Sequence, residues 1–424
     1  MLIGEVLEDP RVYKTCQSLC LKGAEVTIAC TNPSGRSVRE IHDFNSSEIV
    51  NSGLVQSKSK TQFEIIRFPH RKEFILKRLY NFFQGRINPG VGRAAANLHE
   101  TVPSSPLKEF IRNTMIMMNF RQYIKSSRQI NRKMIHAFSG HTFDLVHCND
   151  VDTLYAGNDF KESGVAREML YDAHEYWPGV GLHGSPANKA LGSIEAEGIK
   201  NADYVITVND IIADMIREMH GLHTKPAVVM NCPRKYKGSL TTDSVHVPVR
   251  LLYQGKVQAF RGLEQLVLAC KFINGAELTI SGYGPITERL ALLAESEGLS
   301  ERVRFTGKYR PDEALSIITK HDIGVLPLDP ATLSIVYSSP NKLFDYAMGG
   351  LAIAANDLPF IRQAVVENNM GRIYSRNDPE MIAETINSMI ADTHRLKQYK
   401  CNARKAAEDS YYWEKQFENY PWNL

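Results

Sequence analysis

Short runs of apolar and β-branched residues alternate along the chain with stretches of helical spacing. The first series is MLIGEVL (1–7), AEVTIAC (24–30), FEIIRF (63–68), FDLVHC (143–148), EMLYDA (168–173), YVITV (204–208) and AVVMN (227–231). A second follows, RLLYQG (250–255), ELTISG (277–282), RVRFTG (302–307), DIGVLPL (322–328), GLAIAA (350–355) and GRIY (371–374). Runs that stay apolar at consecutive positions suit strands covered on both faces of a parallel sheet. Between them, segments such as GLEQLVLACKFI and ITERLALLAESEG show helical spacing with Gly or Asn near their ends. The alternation predicts an α/β protein with parallel sheets. The polar, aperiodic stretch NCPRKYKGSLTTDSVHVPVR (231–250) separates the two series and reads as an inter-domain linker. The expected organisation is an N-terminal domain over 1–232, a linker over 233–249 and a C-terminal domain over 250–400, with a cleft between the domains. A C-terminal helix over 401–424 is expected to pack back on the N-terminal domain.

Composition narrows the class. With 424 residues, 43% apolar and 23% charged, the chain has the make-up of a soluble globular protein with ample core. No run approaches the ~18 apolar residues needed to cross a bilayer, which excludes an integral membrane helix. The start of the chain lacks a basic segment followed by a long apolar one, so no cleaved secretory signal is expected. Seven dispersed cysteines without a C-x-x-C read as reduced thiols of a cytoplasmic protein, and no zinc site is signalled.

The net charge of +3 conceals a segregation: residues 67–133 hold 14 Lys and Arg against three acids, Glu73, Glu100 and Glu109. Two amphipathic patterns lie in this segment. In 71–83, Ile75, Leu76, Leu79, Phe82 and Phe83 share one face opposite Lys77 and Arg78; in 107–133, Leu107, Phe110, Ile111, Met115 and Met118 follow helical spacing. Such faces can lie on an anionic bilayer or pack on a domain core with their charges solvated. No recognition motif accompanies the charge, so a nucleic-acid partner is not expected.

Strand-to-helix turns are where doubly wound sheets bind ligands. Gly255-Lys256 and Arg261-Gly262 flank one such turn, and two cations beside helix-terminal amides suit a diphosphate. Two solvated surface cations would satisfy the same spacing. Gly282-Tyr283-Gly284-Pro285 follows the next strand but lacks the third glycine of a dinucleotide fingerprint, so an NAD site is disfavoured. The richest set is Ser338-Ser339-Pro340-Asn341-Lys342-Leu343-Phe344-Asp345-Tyr346. There Ser339 is expected to cap a helix whose first residue is Pro340, with Lys342 in the first turn and Asp345 placed to accept from a ribose diol. Asp150-Val151-Asp152 is a D-x-D, a spacing that can hold a metal beside a nucleotide, and reads here as loop chemistry without a metal.

These motifs together resemble the GT-B glycosyltransferases of family 4. The resemblance is nearly continuous over 143–375 and patchy over ~60–140. Lys256 and Arg261-Gly262 match the family's G-R/K…K/R-G turn, and Asp345 stands at the second glutamate of its E-x7-E segment. Tyr337 occupies the position of the first. Glu8-Asp9-Pro10-Arg11-Val12, His147-Cys148-Asn149-Asp150, Tyr171-Asp172-Ala173-His174-Glu175 and Asn201…Asn231-Cys232-Pro233 are similar to the remaining family landmarks.

The resemblance implies two Rossmann-like, doubly wound domains facing a cleft, the acceptor on the N-terminal one and a nucleotide diphosphate-sugar (UDP or GDP) on the other. It implies retaining sugar transfer to a glycan or lipid-linked acceptor in cell-surface polysaccharide assembly, with no tightly bound cofactor or metal. His174, Lys256 and Arg261 become the candidates for catalysis. Gly255, Gly282, Gly284, Tyr309, Ser338, Ser339, Asn341, Lys342 and Asp345 become the donor side, and Asp9, Arg11, Asp150 and Glu175 the acceptor side. A cytoplasmic protein, peripheral on the inner face of the plasma membrane, fits the basic segment. A catalytically silent subunit that binds a partner transferase or membrane is the alternative, supported by Tyr337. A sugar-nucleotide 2-epimerase explains fewer of the motifs.

Overall fold

The computed structural model describes residues 2–3, 10–32, 38–43, 62–69, 129–180, 186–238, 240 and 242–421. They form two compact units, one of residues 1–228 with 420–424, the other of Val229–Asn419.

The first unit holds an eight-stranded sheet of β1 (Leu2–Ile3), β2 (Thr27–Asn32), β3 (Val38–Asp43), β4 (Gln62–Pro69), β5 (Phe143–Asn149), β6 (Ala166–Ala173), β7 (Tyr204–Thr207) and β8 (Ala227–Val228). Its order is β3-β4-β2-β1-β5-β6-β7-β8. Every pair is parallel except β3 with β4. The apolar runs explain the parallel strands: Ile28, Ala29, Ile65, Val146, Cys148, Met169, Leu170 and Ile206 are all buried. Strand β3, VREIHD, has no apolar run and was not expected from the pattern. It lies at the sheet's edge, where polar, charged sequence is the usual protection against pairing with another chain.

The second unit holds a six-stranded, wholly parallel sheet of β9 (Val249–Gln254), β10 (Ala276–Ser281), β11 (Val303–Gly307), β12 (Ile323–Leu326), β13 (Ala352–Asn356) and β14 (Gly371–Tyr374). The order is β11-β10-β9-β12-β13-β14. All four residues of β12 and all five of β13 are buried, which is why those runs are apolar throughout. Fully burying a Leu, Ile or Val side chain contributes ~1.5–3 kcal/mol, and Leu251, Leu278, Ile280, Ile323 and Val325 all lie in this core.

Among the described residues, the aperiodic stretch at 233–248 contains no helix or strand, and it belongs to the second unit. The Arg404 guanidinium donates to the Tyr236 carbonyl at 2.6 Å, and the Lys400 ammonium to that of Ser244 at 2.7 Å. The buried Asp322 carboxylate accepts from Lys400 Nζ at 2.9 Å and from the backbone N–H groups of His246 and Arg250. The long C-terminal helix begins at Thr393 and ends at Asp409. It and the short helix Trp413–Phe417 belong to the second unit, and the chain re-enters the first at Tyr420.

Candidate functional site

Strands β11, β10, β9 and β12 are neighbours in the second sheet, so the turns leaving their carboxyl ends lie side by side. Every donor-side candidate sits on one of these turns or on the segment that follows it. Backbone packs on backbone there: the Gly255 N–H donates to the Ser281 carbonyl at 2.8 Å and the Gly282 N–H to that of Gly307 at 2.9 Å. A Cβ at Gly282 would stand 1.9 Å from the Gly255 oxygen, and one at Gly284 would stand 1.9 Å from that of Val257. With φ of +132° at Gly255 and +144° at Gly282, these turns admit glycine and little else.

Arg261 is aimed by unusual backbone on both sides. Phe260 has φ +61° and Gly262 +64°, and a Cβ at Gly262 would come within 1.6 Å of the Pro327 oxygen. The facing loop after β12 is itself held carbonyl by carbonyl. Tyr374 Oη donates to Leu326 at 3.1 Å, Asn377 Nδ2 to Pro327 at 3.2 Å and Asn356 Nδ2 to Leu328 at 2.5 Å. The Asp329 N–H then reaches the Phe260 carbonyl at 3.2 Å, tying the two loops together. Among the described residues, neither Lys256 nor Arg261 has an ion-pair or hydrogen-bond partner on its side chain.

The helix Asn341–Met348 opens at this place. Pro340 occupies the capping position in extended conformation (φ −69°, ψ 127°) and, as a proline, makes no side-chain capping bond. The expectation that Ser339 caps it with Pro340 as the first helical residue is thereby corrected. The Pro340 carbonyl accepts the Leu343 N–H at 2.9 Å, and the preceding Ser338 hydroxyl turns back to the Ile335 carbonyl. Early amides of a helix have no intrahelical acceptor, and the positive dipole end adds to their pull on an anion. Lys342 points its ammonium towards Gly255, within 3.3 Å of where a Cβ would be. Burial and the neighbouring Arg261 hold the Lys342 ammonium well below the ordinary lysine range, against the opposing pull of Asp345. Tyr309, after β11, has its phenol pushed up by burial and by the Asp345 carboxylate, which puts those two candidates close together.

The first unit gathers a second set. Adjacent parallel strands β5 and β6 bring Asn149 opposite Asp172, so Asp150 and His174 leave neighbouring strand ends. The Asp172 carboxylate is fully buried. Arg11 grips it with Nε at 2.7 Å and Nη2 at 2.8 Å, while His147 Nε2 lies 3.4 Å and His174 Nε2 3.2 Å from its Oδ2. Asp150 accepts the His174 N–H at 3.1 Å and faces His174 Nδ1 at 3.2 Å. Burial opposes charge on His174, but the Asp150 and Asp172 carboxylates outweigh it, and the imidazole is held well above the ordinary histidine range. His147 goes the other way, because burial lowers it more than Asp172 raises it. Asp172 stays well below the carboxylate range: burial would raise it, but Arg11 and the two histidines prevail.

Arg11, Asp150 and His174 therefore meet in one cluster, with Glu175 half-buried beside it. Arg11, 1% exposed, spends its guanidinium on Asp172. Asp150 serves His174, and its φ of +67° marks strained backbone of the kind found at functional sites. Asp9 and the basic residues Lys77, Arg78, Arg121, Lys125 and Arg128 lie outside the described residues. Three participants were given no role from the sequence: Asp172 and His147, which stood there only as members of family-like motifs, and Tyr420, whose hydroxyl meets His147 Nδ1 at 3.0 Å. The first two could have been found as polar residues ending continuous apolar strands, whereas Tyr420 had no local signal. Among the described residues, no cluster of three or more His, Cys, Asp or Glu side chains could hold a metal, and no helix is long and apolar enough to cross a membrane.

Comparison with known proteins agrees with this architecture. Residues 246–406 match the family model described as glycosyl transferases group 1. No curated protein matches the sequence. Among solved structures, sucrose-phosphate synthase from Thermosynechococcus elongatus is similar with a TM-score of 0.65 and 14% identity, over 98% of this chain and 95% of that one. The trehalose-6-phosphate protein of E. coli, bound with UDP-2-fluoro glucose, gives 0.64 and 10%, over 98% and 96%. HepE of Anabaena, in complex with UDP, gives 0.60 and 13%, over 98% and 96%. At such identities the likeness speaks for the fold. The chain has the GT-B fold of two Rossmann-like α/β domains, the second of which carries the match to group 1 glycosyl transferases.

Proposed function

We propose that the protein is a retaining glycosyltransferase that moves a sugar from a nucleotide diphosphate-sugar to a glycan or lipid-linked acceptor in cell-surface polysaccharide assembly. The observation that carries the reading is the convergence of Lys342 and Arg261 at the start of the helix Asn341–Met348. Burial and like charge together depress the Lys342 ammonium, and an anion bound between the two cations would relieve both. Lys256, Arg261, Lys342 and the helix amides would stabilise charge building on the departing diphosphate, an electrostatic contribution of the kind that often dominates catalysis. Asp345, with Tyr309 beside it, would take the ribose diol. UDP in the complexes of fold neighbours makes a UDP-sugar the first donor to try. His174, whose two ring nitrogens face the Asp150 and Asp172 carboxylates that favour its cationic form, is suited to lend positive charge to the site and is poorly suited to act as a base.

The test is titration of the purified chain with nucleoside diphosphates and nucleosides, followed by donor hydrolysis and transfer assays. Arg261→Ala or Lys342→Ala should weaken diphosphate binding by ~1.5–3 kcal/mol, as loss of a charge-assisted bond does, while nucleoside binding barely changes. Equal losses for both ligands would sink the assignment. Asp345→Asn should reduce discrimination against 2′-deoxy donors. Tyr337, at the place of the family's first carboxylate, favours the second reading, a silent subunit. Binding of nucleotide without hydrolysis or transfer of any donor would select it.

A further inference from the structure

Tyr253 was not among the sequence candidates, yet it connects the two halves of the cationic cluster. It is the fifth residue of β9 and fully buried. Its hydroxyl donates to the Lys256 carbonyl at 2.8 Å. A carbonyl can only accept, so the phenol's single proton is committed there and an oxygen lone pair is left for another donor. Lys342 Nζ supplies it, at 3.1 Å from the same oxygen and 4.2 Å from the ring centroid. The ring thus offers the ammonium both an acceptor and a π-face.

We propose that Tyr253 is a positioning residue for the donor diphosphate, fixing the Lys342 ammonium and the Lys256–Arg261 turn in a single anion-binding arrangement through the two hydrogen bonds of its hydroxyl. The proposal rests on the donor-site reading above. Lys342 is faced by Tyr253 from β9, by Arg261 from the turn and by Asp345 on its own helix, and among these Tyr253 orients the ammonium without neutralising it. Burial pushes the Tyr253 phenol up to about 12, so it stays protonated and keeps its donor role across the working pH range.

The experiment is calorimetric titration of the full chain with UDP and with uridine, for wild type, Tyr253→Phe and Lys342→Met, with melting temperatures recorded alongside. Tyr253→Phe should lose about tenfold in UDP affinity while uridine stays within about twofold. Lys342 loses an acceptor in this variant, so the fall of UDP affinity with rising pH should move to lower pH. Unchanged UDP affinity and pH profile in Tyr253→Phe overturn the proposal, and so do equal losses for UDP and uridine, which indicate packing alone. If Lys342→Met nonetheless loses UDP affinity, the donor-site reading survives that failure; if Lys342→Met binds UDP like wild type, the donor-site reading itself falls. Should Tyr253→Phe not fold, 3,5-difluorotyrosine at position 253 keeps the ring and both bonds while making the oxygen a poorer acceptor. It should weaken UDP in the same direction, and unchanged affinity overturns the proposal.

Discussion

Arg11 and Asp172 form a two-pronged buried ion pair, at 2.7 and 2.8 Å, between a helix and a strand 161 residues apart in the chain. A carboxylate so held stays ionised in the interior, and its remaining capacity faces two histidines. It therefore acts as the fixed counter-charge around which the first unit's cluster is arranged.

Asp172→Asn should leave the Arg11 guanidinium buried without its counter-ion and cost ~3–5 kcal/mol of stability, measured by urea unfolding. A loss under ~1 kcal/mol would show that the pair contributes little.

The same network sets a pH dependence. Asp172 is depressed, so its contribution is present above the ordinary carboxylate range and is lost only as pH falls through its lowered value. His174 is raised, so its contribution is complete below the ordinary histidine value and disappears as pH rises through its elevated one. Unfolding free energy should thus decline on the alkaline side of neutrality in wild type, and less so in His174→Gln. Parallel profiles for the two proteins would contradict the assignment.

His174→Ala should keep nucleotide affinity within about twofold while turnover falls by ~10²-fold, or ~2.7 kcal/mol of transition-state stabilisation. Titration and sugar-transfer rates measure the two quantities separately. Wild-type turnover in the variant would make His174 structural.

Gly262→Ala should remove diphosphate binding more completely than its size suggests. The added methyl would meet the Pro327 oxygen at 1.6 Å and occupy a φ of +64°, so the turn must shift and carry Arg261 with it. UDP titration and a crystal structure of the variant would check both parts; retained affinity would show that Arg261 is not aimed by this turn.

If Lys77, Arg78, Arg121, Lys125 and Arg128 face anionic lipid, vesicle binding should rise with anionic lipid content and fall with salt. Reversing these charges should release the protein without lowering its melting temperature. Binding indifferent to lipid charge would leave the basic segment a solvated face.

Much of the architecture was legible because parallel strands covered on both faces must be apolar throughout, and runs such as DIGVLPL and GLAIAA can hardly be anything else. Strand β3 was hidden for the complementary reason: an edge strand is under no such demand. The glycines at 255, 262, 282 and 284 stood out in the sequence, but their cause, backbone packed on backbone, is visible only in three dimensions. Capping by Ser339 failed because the local rule allows either of two adjacent residues to begin the helix, and the approach of the chain gave Pro340 the extended conformation. Tyr253 read as one more apolar strand position, since a buried tyrosine announces its hydroxyl only through its partners. Tyr420 and His147 lie 273 residues apart, beyond any local pattern.

That last pair bears on how the protein is made. Residues 1–228 emerge from the ribosome first, but the first unit is completed by residues that follow Asn419. At synthesis rates of ~5–20 residues per second, the whole second unit occupies roughly 10–40 s of translation. Throughout that interval His147 Nδ1 waits for the Tyr420 hydroxyl. The nascent first unit therefore spends its early life unfinished at the cluster that holds His174, and the closing residue arrives only once the second unit has been synthesised.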